Sequence, residues 1–450
     1  MKSIFIIIFS IACLVSFSQT QQNVIALKGG TVIDVTNYGK SEKDIPNAIV
    51  IVENGKITAV GTDIEIPVNA KLIDVTGKYI LPGLIDCFAT INNQAYANAF
   101  LYMGVTTVVV SENDNRRGNV DYTVSPSPAL YKMDGIWGRN FKIKVVGEEY
   151  EKTNPWNDNK INTEIDSLAK AGVKVLLVHY GVEPKQLKTI VSACKRNNIA
   201  TIGELGLCSY SEAASAGIQS FVHTSRYTAD ILIDSLRQAY STAPFGSPAR
   251  LYYEYLSKDS EFINKPKFQS LSTLYTNNPV GLIPTASMLV YPEMNFAKNP
   301  WNEIAASIID EKDIDHEPLD KLTGKRKNPN EFRGKAAPSL FVIDQTLAKA
   351  GAHFLTGSGT DAFGTIPGVS LHTELEMFSR FGLTNREVIS AATHNFSILY
   401  NWKHIGKIEK GREADILVLK NNPLLSLDNL KSIDLLILDG KIIDISTLLK

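Results

Sequence analysis

Apolar and polar positions divide the chain into three stretches with different rhythms. From residue 24 to 80 the apolar runs are short and broken by turn residues. Residues 48–52 form a continuous apolar run, Asn54-Gly55 follows, and 56–60 answers as a return strand. Asn-Gly tolerates positive φ at both positions, so this stretch predicts a β-hairpin. The far end has the same texture: 414–419 is apolar, 435–438 leads to Asp439-Gly440, and 441–443 returns. Two β-rich ends around a different middle predict one small sandwich built from both ends.

The middle alternates apolar runs with amphipathic stretches, the rhythm of a parallel sheet with crossover helices. Strands are expected within 81–90 and at 104–110, 141–146, 172–179, 200–204, 219–223, 281–288 and 353–358. Between the fourth and fifth of these, 184–197 opens on a proline and spaces Leu187, Ile190, Val191 and Cys194 on one face, which predicts a helix. Residues 226–279 turn helical, polar and rich in tyrosine, and are expected as an insertion over the mouth of the sheet. Residues 291–332, rich in Asn, Pro, Asp and Lys, are expected as loop and short helix. The fold class is α/β, a TIM (β/α)8 barrel with a small composite β-sandwich.

Composition sharpens this only in places. A chain of 450 residues suits a large barrel plus an accessory domain. Lys+Arg at 46 against Asp+Glu at 47 gives no basic excess, which argues against a nucleic-acid partner. Lys2 followed by apolar residues 4–15 is too short for a comfortable membrane span and fits a secretory signal peptide. Ser16-Phe17-Ser18 then supplies small residues for cleavage before Gln19, so an exported, periplasmic or secreted protein is expected. Cys13 sits in a poor lipidation context. Beyond the leader, Cys87, Cys194 and Cys208 show no Cys-x-x-Cys spacing and read as small core residues.

The run Leu81-Pro82-Gly83-Leu84-Ile85-Asp86-Cys87-Phe88-Ala89-Thr90 resembles the first barrel strand of the amidohydrolase superfamily, metal-dependent hydrolases of the imidazolonepropionase and dihydroorotase kind. Gly411 to Leu419 (Gly-Arg-Glu-Ala-Asp-Ile-Leu-Val-Leu) is similar to the same family's closing segment, so the resemblance covers nearly the whole chain after the leader. It implies a His-x-His pair on strand one, a lysine or acid on strand four, histidines on strands five and six, and an aspartate on strand eight. The metal they hold lowers the pKa of a bound water, and the aspartate takes its proton.

The chain departs from that set. Phe88 and Thr90 occupy the histidine positions of strand one and are not ligands. By alternation both point inside, and Cys87 and Ala89 do not. On strand four the lysine position falls near Leu177, and Lys174 has the opposite parity. His223 and Asp361 match the strand-six and strand-eight positions, and Asp361 is the expected catalytic acid/base. His179, at the face of Leu177, and Glu204, at the end of strand five, complete a candidate mononuclear set with His223 and Asp361. Arg226 and Tyr227 are candidate substrate-orienting residues, with anchoring of the insertion as the other role. His372 and Glu374 are assigned to the last barrel helix or its entry loop, and His394 to a structural segment.

The expected organisation is a signal peptide at 1–18, a composite sandwich from 19–80 and 402–450, and a barrel over 81–401. The resemblance implies hydrolysis of a C–N bond in an amide or peptide-like substrate, with a reduced or lost metal centre of one zinc-like divalent ion or none. The other reading is a non-catalytic relative that binds a small ligand or an active paralogue. A small molecule is the expected partner, with no nucleic acid and no stable membrane span. Homo- and hetero-oligomeric assembly both stay open.

Overall fold

The computed structural model describes residues 24–111, 120–138, 141–145, 148–152, 157–242, 247–259, 261–314, 317–327, 331–360 and 362–450. The leader and Asp361 lie outside the described residues.

The chain opens with β1 (Val24–Val32), β2 (Ile45–Glu53), β3 (Lys56–Gly61), β4 (Lys71–Asp74) and β5 (Tyr79–Pro82). Asn54 and Gly55 have φ of 52° and 76°, so the turn between β2 and β3 is of the primed type that matches strand twist. The next strands are β6 (Leu84–Ala89), β7 (Val105–Ser111), β8 (Ala129–Gly138), β9 (Phe141–Val145), β10 (Glu148–Lys152) and β11 (Val173–Gly181). They are followed by β12 (Ala200–Gly203), β13 (Ser220–Val222), β14 (Gly281–Ile283) and β15 (His353–Phe354). The chain ends with β16 (Ile416–Leu419), β17 (Ile433–Leu438) and β18 (Lys441–Ile443), where Asp439-Gly440 repeats the primed turn with φ of 47° and 70°.

Strands from both ends share one mixed sheet, ordered β18-β17-β16-β5-β1-β2-β3 with β4 paired to β1. The join is antiparallel, Ile416 opposite Pro82 through Leu419 opposite Tyr79. The sheet buries Leu27, Val50, Val52, Ile80, Ile416 and Val418 on one face. Where the chain leaves it for the second sheet, Gly83 is required by a close approach. A Cβ there would stand 2.0 Å from the Thr106 hydroxyl.

The second sheet is parallel and eight-stranded, ordered β15-β14-β13-β12-β11-β8-β7-β6. It curls so that the segment after β15 meets β6. Cys87 N–H donates to the Thr356 carbonyl at 3.1 Å, and Gly359 N–H to the Phe88 carbonyl at 2.8 Å. Its inner face packs Ile85, Val109, Val175, Ile202, Val222 and Leu355 against one another, and its outer face packs against the helices. The helix Pro184–Arg196 begins with proline, as its sequence predicts, and adds a capping box between Glu183 and Gln186.

Two strand expectations change. The third strand of the parallel sheet is Ala129–Gly138, and Phe141–Val145 instead forms a separate hairpin with Glu148–Lys152. A short β-rich run cannot by itself say which sheet it joins, because pairing is settled by distant partners. The seventh strand stops at Ile283, since Pro284 follows and Thr285 takes a left-handed φ of 50°. The tyrosine-rich insertion is helical, over Asp234–Thr242, Ser247–Lys258 and Pro266–Asn277. Its Tyr240, Tyr252 and Tyr275 are nevertheless fully buried. Each finds a hydroxyl partner inside the helix layer, on Arg226, Thr228 and the Tyr227 carbonyl respectively. Among the described residues no helix is long and apolar enough to cross a membrane.

Candidate functional site

The C-terminal edge of the parallel sheet gathers most of the polar residues singled out from the sequence. Two groups form there, one around His179 and one around His223.

His179 stands near the end of β11 and is 1% exposed. Lys174, five positions earlier, is exposed, as its parity predicts. The His179 ring lies flat on Trp137 at the end of β8, with centroids 3.5 Å apart and planes 16° from parallel. Its Nδ1 accepts the backbone N–H of Tyr180 at 2.9 Å. The proton of a neutral ring is therefore on Nε2, which faces Glu204 Oε2 at 3.4 Å. Glu204 follows β12 directly and is also buried. Its other oxygen, Oε1, meets Arg226 Nε at 3.2 Å.

Arg226 comes from the short helix Thr224–Tyr227 after β13. The guanidinium lies over the rings of Tyr180 and Tyr240, at 5.4 and 5.9 Å from the centroids, and donates to the Tyr240 hydroxyl at 3.3 Å. Burial disfavours its charge, but Tyr240 and Glu204 beside it hold its pKa well above the usual range. A carboxylate, a guanidinium and a neutral imidazole thus satisfy one another out of contact with water.

His223 follows β13 with φ of 64°. Its Nδ1 is 2.7 Å from the Thr285 hydroxyl, which itself donates to the Pro284 carbonyl at 2.6 Å. When Thr285 donates to Pro284 it accepts from His223, so that Nδ1 carries the ring proton and Nε2 is the unprotonated nitrogen. That is the tautomer and the outer-shell bond of a ligating or proton-accepting histidine. Phe88 meets the ring edge-on, centroids 5.2 Å apart at 82°. Gly357 admits Phe88, because a Cβ at 357 would stand 2.9 Å from the Phe88 Cβ. Thr90 is buried and donates to the Asn92 side chain at 2.9 Å.

Strict alternation on β6 does not hold. The pairing of β6 with β7 slips between Asp86 and Ala89, and Cys87 and Phe88 both belong to the inner cluster. Cys87 was expected to face away; it shares the inward parity of Ile85, and the register shift brings Phe88 to the same face. Asp86 ties this strand to the eighth, its Oδ1 accepting from Ser358 N–H at 2.9 Å and Phe88 N–H at 3.3 Å.

Tyr227 does not join either group. It is fully buried in the helix layer, and its hydroxyl donates to Asp344 Oδ1 at 2.5 Å. Thr224 donates to the other oxygen at 2.7 Å. Burial pushes the Asp344 carboxyl up to about 7 against these two hydrogen bonds. Glu374, on the helix Val369–Phe381, accepts from Ser287 N–H at 2.7 Å, and burial lifts it to about 8. These two carboxyls support β13 and β14 from behind.

Trp137 and Tyr240 were missed as site residues. Trp137 was lost with the misplaced third strand. The alternation of Tyr131, Met133 and Trp137 before Gly138 was the available signal. Tyr240 carried none, since its helix is placed only by tertiary packing.

The donor chemistry tests whether a metal would fit. Members of the superfamily normally use divalent metals, and stable zinc sites use three or four protein donors. The lone pair of His179 is taken by a backbone N–H, and Glu204 is bonded to a guanidinium that would repel a dication. Phe88 and Thr90 supply no ligand atom. Of these candidate ligands only the His223 ring is left as a nitrogen donor, and among the described residues no group of three or more His, Cys, Asp or Glu residues is assembled. The described residues do not fit a two-metal centre.

Comparison with known proteins gives a consistent outline. The amidohydrolase family profile matches residues 332–443. A dihydroorotase of Mycobacterium tuberculosis is 30% identical over 121 residues, which is 25% of this chain and 25% of that protein. The chain thus aligns with about a quarter of that relative's length. Among solved structures, bottromycin amidohydrolase superposes with a TM-score of 0.63 at 17% identity, covering 96% of this chain and 89% of that one. A Xaa-Pro dipeptidase with bound methionine in its active site gives 0.59 at 16% identity, covering 94% and 100%. At such identities the superpositions speak for the fold.

Proposed function

The chain belongs to the amidohydrolase superfamily, and we propose that it is an exported hydrolase acting on the C–N bond of an amide or peptide-like small molecule, with its metal centre reduced to one ion or lost. In this reading the parallel sheet is a closed TIM barrel over 81–401, and the mixed sheet is a sandwich domain from 19–80 and 402–450. The leader 1–18 is removed.

One observation carries the proposal. His223, its Nδ1 held by the Thr285 hydroxyl, stands at the C-terminal edge of the sheet, where barrel enzymes place their chemistry. Its Nε2 accepts a hydrogen bond from a substrate N–H or a water. Asp361, by resemblance to the strand-eight aspartate, takes the proton of the attacking water. Arg226 acts as a positioning residue, because Glu204 already neutralises its charge.

A second reading is favoured by Phe88, whose ring occupies the space beside His223 where the family has a ligand. In that reading the pocket holds a small ligand, or the protein assembles with an active paralogue, and nothing is cleaved. Protein purified without chelator, assayed for metal content and for hydrolysis of N-acyl amino acids, dipeptides and cyclic amides, separates the two. The hydrolase reading expects turnover that Asp361→Asn removes. Saturable binding without turnover, with or without added zinc, supports the second reading. Two tightly bound ions per chain overturn the reduced centre.

A further inference from the structure

A cavity of about 440 Å³ lies away from the mouth of the parallel sheet. It runs along the outer side of the helix Val369–Phe381, between the turn Pro300–Asn302 and the segment Leu427–Lys431 that follows β16. Its volume is in the range of small-molecule sites, and it sits at a junction between units, where such sites are common.

Three groups give it a definite chemistry. His372 lines it and is 9% exposed. Its Nε2 is 2.8 Å from the Met103 carbonyl, which can only accept, so Nε2 carries the proton and Nδ1 is an acceptor. Burial, which opposes the charged form, lowers the ring's pKa to about 4, so it stays neutral in ordinary conditions. Lys431 is gripped by Glu303 at 2.5 Å and Asp428 at 3.3 Å, which leaves one of its three N–H groups for a ligand. Lys298 stands exposed at the rim, within the field of Asp428. The third cation of the wall, Arg380, is consumed by Glu376 at 2.6 Å and covers the Phe296 ring at 3.8 Å.

We propose that this cavity binds a small carboxylate bearing an N–H or O–H donor, its carboxylate on Lys298 and Lys431 and its donor on His372 Nδ1. A simple anion leaves the imidazole acceptor without a partner. A cation meets two ammonium groups and carboxylates that are already paired. An N-acylated or free amino acid satisfies both ends. The site does not rest on the hydrolase reading, since none of its residues lies at the sheet mouth.

N-acetylglycine is the probe, titrated calorimetrically into the full-length protein. Two analogues remove one feature each: N-acetylglycine methyl ester lacks the carboxylate, and N-acetylsarcosine lacks the N–H. The expected result is saturable binding of N-acetylglycine, weakened at least about tenfold for either analogue and by Lys298→Ala. Lys298 is exposed, so its variant folds, and the analogues need no variant at all. Absence of binding at about 10 mM, equal binding of all three compounds, or binding undisturbed by Lys298→Ala would overturn the site. The last outcome would move the probe to the sheet mouth, where Lys298 has no part.

Discussion

His179 and His223 stand at the same edge of one parallel sheet, on strands two apart in the sheet order, and their neighbours make them opposites. Tyr180 N–H occupies Nδ1 of His179, so its Nε2 is a donor facing Glu204. Thr285 accepts from Nδ1 of His223, so its Nε2 is an acceptor. The first histidine closes a neutral buried network with Glu204 and Arg226. The second is tied to Thr285 and edged by Phe88. Residue type and strand position are shared, and the next hydrogen bond outward decides whether the ring is scaffold or site.

The comparison breaks first at Glu204. Glu204→Ala leaves a buried guanidinium unpaired, which costs about 3–5 kcal/mol. Urea denaturation should show that loss, with Glu204→Gln milder because it keeps an acceptor for Arg226. A change under about 1 kcal/mol would mean that water, not Glu204, satisfies Arg226.

The groups behind the His223 side titrate near neutrality. Asp344 is raised by burial to about 7 from 3.8, and Glu374 to about 8 from 4.5. A raised carboxyl favours folding while protonated. Its contribution is complete below the unfolded value and is lost as pH rises through the folded one. Thermal stability should therefore fall between about pH 4 and 8, with Asp344 contributing on the order of 4 kcal/mol. Asp344→Asn should flatten the lower part of that slope. A slope identical to that of the parent would place the titration elsewhere.

His223→Ala should cost only about 1 kcal/mol of stability, the value of one hydrogen bond, while abolishing ligand binding at the sheet mouth. A loss as large as that of Glu204→Ala would make His223 another piece of scaffold. Phe88→His tests the same side by addition. The bulge keeps position 88 inside, next to His223, so zinc content measured after dialysis should rise by a fraction of an ion per chain. Thr90→His should add less, because that hydroxyl is turned to Asn92. The smallest effect is that of Lys174→Ala, exposed and on the outer parity, which should leave stability within about 0.5 kcal/mol.

Local chemistry was legible without the fold. Asn54-Gly55 and Asp439-Gly440 must turn, Pro184 opens a helix, and the alternation along Val173–Gly181 sets Lys174 outside. Each depends on neighbours within a few residues. The resemblance of the Pro82-Gly83 run and of Gly411 to Leu419 likewise pointed to the family.

What the sequence determined by itself was the alternation of a parallel sheet, two β-rich ends, and which polar residues end the strands. Tertiary structure alone decided that Ala129–Gly138, not Phe141–Val145, is the third strand, because pairing partners lie far along the chain. It also decided that Cys87 faces inward with Ile85 and that a bulge adds Phe88 to that face. Above all it decided the hydrogen-bond partners of the two histidines. A histidine's proton goes where the next residue's lone pair or N–H puts it, and Thr285 comes to His223 from 62 residues away.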